Sequence, residues 1–253
     1  MTNEDKSAPE LLFQRSNRNI LVAGHRFGSS IKNNRRVIDE SSLKLRLENV
    51  MDGLKLCPDT EKFRLLIGNS FGTDKLALTV AKERKWESIV IAPCPIKGKS
   101  LLESKKLIYV NSTECVDEEI PEDWVRIADE NKLHYADLLV AIWDGEPPAG
   151  PSSGGGAVRQ IREALRRRMP VIWINSYSGE VLFSDLKKVD EVALAKMEAH
   201  DKDVSWQSSI FGGGGFIKCN DITCEISKLL RFAWEPISPD IIEPLDRWDI
   251  WER

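Results

Sequence analysis

The sequence predicts an α/β protein of the Rossmann-like, doubly wound class with a mainly parallel sheet, and three observations predict it. Short apolar runs rich in Val, Ile and Leu recur at 19–23, 63–67, 88–92, 138–143 and 171–174, the build of strands buried on both faces. Between them lie stretches with helical spacing: Leu43, Leu47, Val50 and Leu54; Leu76, Ala77, Val80 and Ala81; Val158, Ile161, Ala164 and Leu165. Strand then helix, repeated, calls for parallel pairing with right-handed crossovers.

Taken in order, residues 1–17 are polar and expected to be mobile, and the first strand starts the domain. A core over 18–176 is expected to bind a nucleotide, with 177–253 a small mixed appendage that completes or caps it. Within the core, 97–133 is less regular, with an extra strand at Leu107–Val110 and a helix at Trp124–Lys132. Beyond Ser176, Val189–His200 and Ile222–Trp234 read as helices, and Phe211–Ile217 holds four consecutive glycines. In the tail, Trp248 and Trp251 stand one helical turn apart, as in a helix packing on its own domain.

Composition bounds the function. A chain of 253 residues, 42% hydrophobic, can bury one full α/β core. Its net charge of -4 offers no extended field for a polyanion, so no nucleic-acid partner is expected. Five cysteines, an odd number without a CxxC pair, and a start without the order of a signal peptide point to a reducing cytoplasm. The uncharged apolar run Leu138–Trp143 is far short of the roughly 20 residues of a membrane span. His25, His134 and His200 show no metal spacing with these cysteines, so no metal is expected. A homo-oligomer is the expected assembly.

In a doubly wound sheet the ligand lies outside the carboxyl ends of the strands, and four strand-end loops are unusual. Gly24-His25-Arg26 combines a glycine that lets backbone approach a ligand with a planar fork of donors. Gly68-Asn69-Ser70-Phe71-Gly72-Thr73-Asp74 runs straight into a helix, so free N–H groups and the positive helix end form an anion cradle, with Thr73 or Asp74 as N-cap. Asp144-Gly145 places an acid where ribose hydroxyls are accepted in dinucleotide sites, although an Asp-Gly turn reads equally well. Gly154-Gly155-Gly156 opens the helix that begins near Val158 and is a second phosphate-type loop. The basic run Arg166-Arg167-Arg168 compensates that helix's dipole.

Together, LVAGHR, IGNSFGTDKLALTVA, ADLLVAIWDG and SGGGAVRQI resemble the SLOG superfamily over about residues 18–176. That Rossmann-like group includes the LOG phosphoribohydrolases, DNA-processing protein A and sensor modules of bacterial defence systems. The resemblance implies a pocket for a nucleotide or signalling nucleotide, bounded by Gly24, Arg26, Ser70, Asp74, Asp144 and Gly154 to Gly156. It also exposes a departure. LOG hydrolases carry P-G-G-x-G-T-x-x-E, whereas here the threonine is Ala157 and the glutamate is Gln160. An amide cannot supply the carboxylate that glycosidic cleavage uses, so binding without turnover, as a sensor or effector, is the leading reading.

Enzymatic alternatives remain on the residues. A nucleotide N-glycosidase, phosphoribohydrolase or deoxyribosyltransferase-like, would draw on Asp144 or on the position of Gln160. A serine hydrolase would use G-x-S-x-G at 68–72, with Ser70 as nucleophile and Asp144 and His200 completing the order. Only one strand precedes that of Ser70, whereas the hydrolase fold requires an earlier oxyanion-hole loop. No cofactor beyond a nucleotide ligand is implied.

Overall fold

A computed structural model describes residues 18–24, 39–57, 63–70, 72–96, 107–111, 113–116, 120–145, 156–184 and 215–233. In chain order the described elements are β1 (Arg18–Gly24), α1 (Glu40–Lys55), β2 (Phe63–Ile67), α2 (Thr73–Arg84), β3 (Glu87–Ala92), β4 (Leu107–Tyr109) and α3 (Glu122–Tyr135). They continue with β5 (Leu138–Trp143), α4 (Gly156–Arg166), β6 (Val171–Asn175), β7 (Val181–Ser184), β8 (Phe216–Lys218) and α5 (Ile222–Ala233). The proposed helix at 189–200, the tail tryptophans and residues 1–17 lie outside the described residues.

The strands form one sheet in the order β4-β3-β2-β1-β5-β6-β7-β8. Pairing is parallel from β4 through β6, and β7 and β8 then run antiparallel. The fold is therefore the mixed, mainly parallel α/β sheet that the alternating apolar runs predict.

Period-two alternation along buried strands divides the core between two faces. Ile20, Val22, Leu65, Ile67, Val140 and Ile142 pack with α1, α2 and α5. Leu21, Ala23, Leu66, Leu139, Ala141 and Trp143 pack with α3 and α4. Two of the helices come especially close: a Cβ on Gly53 of α1 would stand 3.0 Å from the Thr223 carbonyl oxygen of α5.

The antiparallel extension follows β6, beyond the last of those apolar runs. At its turn Asn175 Oδ1 accepts from the N–H groups of Tyr177 (2.9 Å) and Ser178 (3.0 Å), and Gly179 takes φ +72. This side-chain-closed turn folds β7 back on β6. The extra strand at 107–109 forms the far edge, against β3. No helix among the described residues is long and apolar enough to cross a membrane.

Candidate functional site

From β1 the sheet grows one way through β2, and from β5 it grows the other way through β6. The topological switch point, where ligands of open α/β sheets bind, therefore lies between the carboxyl ends of β1 and β5. Gly24 closes β1 and pairs with Ile142. The place of its missing Cβ is taken by the Ile142 carbonyl oxygen and the Thr73 side chain. Any larger residue would push the start of α2 away from the strand end.

Gly68, at the end of β2, is hemmed in similarly. A Cβ there would run into the Asp74 carboxylate and stand 3.2 Å from Lys132 Nζ. Ser70 donates to Asp74 Oδ2 from both its N–H (2.9 Å) and its hydroxyl (2.6 Å). This geometry corrects the capping expectation. Neither Thr73 nor Asp74 caps α2; the N-cap is Gly72, at φ +86 and without a side-chain bond, because Asp74 is turned to Ser70 instead. Thr73 and Asp74 are both buried, and Asn69 and Ser70 are half-buried. The positive end of α2 already has the chain's own carboxylate beside it. Ser70's hydroxyl proton is directed at Asp74, whereas a triad serine would give it to an imidazole; His200 lies outside the described residues.

Behind these loops runs a line of buried charge that sequence reasoning missed. Asp129 and Lys132 of α3 are each 7% exposed and pair at 2.9 Å, while the second Asp129 oxygen accepts from Arg159 Nη2 of α4 at 2.5 Å. Burial pulls the Lys132 ammonium down in pKa, but the charges of Asp129 and Asp74 outweigh it and the net shift is upward. Lys132 is thus a buried cation between the ends of β2 and α4. The signal in the sequence is faint: opposite charges at i and i+3 are common on exposed helix faces, yet Asp129 and Lys132 are buried, as are Ala128 and Leu133.

Gly156 is the first residue of α4, whose first turn carries no acid. Gln160 is buried, and its Oε1 has no hydrogen-bond partner among the described residues. An unmet buried acceptor costs about 1–3 kcal/mol. Asp144 is buried at the end of β5, and Gly145 follows at φ +85, where a Cβ would lie 3.4 Å from the Trp173 ring. Trp173 is itself fixed by donation from Nε1 to the Trp143 carbonyl at 2.8 Å.

The described strand-end residues Gly24, Gly68 and Asp144 thus share one edge of the sheet, joined by the α2 start and the Asp74–Lys132–Asp129–Arg159 line. His25, Arg26, Gly154 and Gly155 lie outside the described residues.

Sheet order and switch point define a Rossmann-like chain of the doubly wound class. No family model and no curated protein matches the sequence. Among solved structures, DNA processing protein A from Helicobacter pylori, described for its single-stranded DNA binding mode, is similar at a TM-score of 0.48 and 12% identity. That match covers 88% of this chain and 84% of the other. DNA processing protein A from Streptococcus pneumoniae is similar at a TM-score of 0.40 and 11% identity over 65% of this chain. This chain spans 55% of that protein. Both are structures of a protein that the SLOG resemblance includes, and at such identities the likeness is one of fold. It nevertheless corrects one expectation. A protein of similar fold is described as binding single-stranded DNA, so a net charge of -4 is no ground for excluding nucleic acid. Net charge averages over the surface, whereas a strand is held by a local groove.

Proposed function

We propose that this chain binds a nucleotide or nucleotide-derived signalling molecule, of the NAD/ADP-ribose or cyclic-nucleotide type, where β1, β5 and α4 meet. On this reading residues 18–176 hold the ligand and 177–253 complete the fold around it. The role is that of a sensor or effector domain in bacterial stress or defence signalling, which rests on the SLOG resemblance. Gly24, Ser70, Asp74 and Asp144 are proposed to line the site, with His25, Arg26 and Gly154 to Gly156 as further contacts.

One observation carries the reading. At the switch point α4 begins without an acid of its own in its first turn and with Arg159 in it, and the nearby Asp129 is already shared between Lys132 and Arg159, so the positive end of the helix favours a ligand anion. The α2 start, by contrast, is neutralised by Asp74. Binding without turnover is favoured because Gln160 offers no carboxylate, and uniform binding of a phosphate lowers no barrier.

The test is a thermal-shift and calorimetric panel on the full chain with nucleoside monophosphates, NAD, ADP-ribose, cyclic dinucleotides and a single-stranded oligodeoxynucleotide. A ligand at 100 times its Kd stabilises by about 2.7 kcal/mol, so a saturable shift with one nucleotide class is expected. A flat response to every nucleotide, or a shift with the oligonucleotide alone, overturns the proposal.

A further inference from the structure

We infer that the Asp129 carboxylate is a built-in balance between two strand-end loops: when Arg159 leaves it, the clasp of Ser70 on Asp74 tightens. The device belongs to the chain itself and does not rest on the nucleotide reading.

Arg159 of α4 donates to Asp129 Oδ2 at 2.5 Å, and Lys132 Nζ stands 2.9 Å from Asp129 Oδ1. One carboxylate thus serves two cations. At the other end, Asp74 Oδ2 accepts from both the N–H and the hydroxyl of Ser70. Lys132 joins the two halves. A Cβ on Gly68 would run into Asp74 Oδ2 and stand 3.2 Å from Lys132 Nζ, so this carboxylate and the ammonium flank one point at the end of β2. The charges of Asp129 and Asp74 both act on that ammonium. The line therefore runs from the loop after β2, on one side of β1, to the start of α4, on the other.

An ammonium between two carboxylates moves toward the one with more unmet charge, and inside a protein that pull is weakly screened. Arg159 is 31% exposed and can turn to solvent. Lys132 and Asp129, each 9% exposed in the side chain, cannot. With Arg159 in place, part of the Asp129 charge is met from α4, and Lys132 acts on Asp74 as well. With Arg159 away, Asp129 draws Lys132 to itself, Asp74 loses a competing cation, and its charge-assisted bonds from Ser70 strengthen. Removing the charge of Asp129 has the opposite sign: Lys132 turns to Asp74 and pulls it from Ser70. Two positions of one half-exposed guanidinium thus set the tightness of a loop in the other half of the sheet.

Hydrogen exchange of the Ser70 amide, followed by NMR on the full chain without ligand, reads the clasp. The Gly179 amide, which donates to the Asn175 carbonyl at 2.8 Å in the β6–β7 turn, is the remote control. Arg159→Ala is expected to slow Ser70 exchange severalfold and to leave Gly179 unchanged. Asp129→Asn is expected to speed Ser70 exchange by about tenfold, as for a weakened bond to a charged group. Lys132→Met cuts the link, so adding Arg159→Ala to it should change Ser70 exchange no further. A merely structural role for Arg159 would loosen the fold and speed exchange, so the sign separates the two. Faster or unchanged Ser70 exchange in Arg159→Ala overturns the inference, as does a slowing that persists in the Lys132→Met background. Should Asp129→Asn or Lys132→Met fail to fold, the sign in Arg159→Ala decides alone. Either failure leaves the outcome of the nucleotide panel untouched.

Discussion

Asp129 of α3 and Arg159 of α4 are joined across the helix pair by a 2.5 Å hydrogen bond, and the same carboxylate holds Lys132 at 2.9 Å. Removing the charge strands a buried ammonium, since Lys132 is 9% exposed in its side chain. Breaking a buried pair from one side typically costs about 3–5 kcal/mol. Asp129→Asn is therefore expected to lose that much in urea unfolding, whereas Arg159→Ala, at a partly exposed position, should lose under about 1 kcal/mol.

The same cluster sets an alkaline limit. The folded pKa of Lys132 lies above its ordinary value of 10.5, because Asp129 and Asp74 outweigh burial. The native state then holds the proton longer than the unfolded chain does. The stabilisation is fully present below pH 10.5 and is lost as pH rises through the higher folded value. Unfolding free energy measured against pH should fall on that limb, and Lys132→Met should flatten the fall.

Glycines at the sheet edge differ in what they tolerate. Gly24→Ala places a methyl on the Ile142 carbonyl and the Thr73 side chain, and overpacking of this kind costs about 1–3 kcal/mol. At Gly156 the nearest atom to a new Cβ among the described residues is Asp129 Oδ2 at 3.9 Å. Gly156→Ala should be neutral or stabilising by up to about 1 kcal/mol, since alanine favours helix. Melting curves of the two variants, without ligand, check the contrast.

Ser70→Ala removes one of the two Ser70 donors to Asp74. Hydrogen bonds to a charged group contribute about 1.5–3 kcal/mol, so a loss near the lower figure is expected by denaturant titration. No change in ester hydrolysis should accompany it, because the hydroxyl acts here as a donor to a carboxylate.

Incubation with AMP or NAD is expected to release no free base at an enzyme-like rate, as read by chromatography. Gln160→Glu restores the carboxylate of the hydrolase pattern and is the informative companion. Rapid release by the unaltered chain that vanishes in Asp144→Asn would instead show a glycosidase.

Much of the architecture was legible because buried parallel strands are written as continuous apolar runs: β1, β2, β3, β5 and β6 each stand within a residue or so of one. The short β7 and β8 carry only three and two consecutive apolar residues, Val181–Phe183 and Phe216–Ile217. Ile217 of β8 is exposed, and their place is set by hydrogen bonding to β6 and to each other. At the candidate site, Gly24, Gly68 and Asp74 could be found because strand ends in this fold are where ligands sit. Asp129 and Lys132 could not be found that way. They come from the far end of a helix, and only tertiary packing brings them beneath Gly68.

The close seat of α5 on α1 has a consequence for how the chain is made. Thr223 Oγ1 donates to the Asn49 carbonyl across 174 positions, and Cys57 reaches the Ser227 carbonyl across 170. The face of the sheet beneath α1 is thus closed by an element that leaves the ribosome long after α1 itself. During translation Leu47, Val50 and Leu54 must wait, largely uncovered, until residues 222–230 leave the ribosome. Long-range closures of this kind slow folding and prolong exposure of sticky intermediates. Commitment of this face to its native packing therefore waits on α5, and chaperones have their chance to act before it.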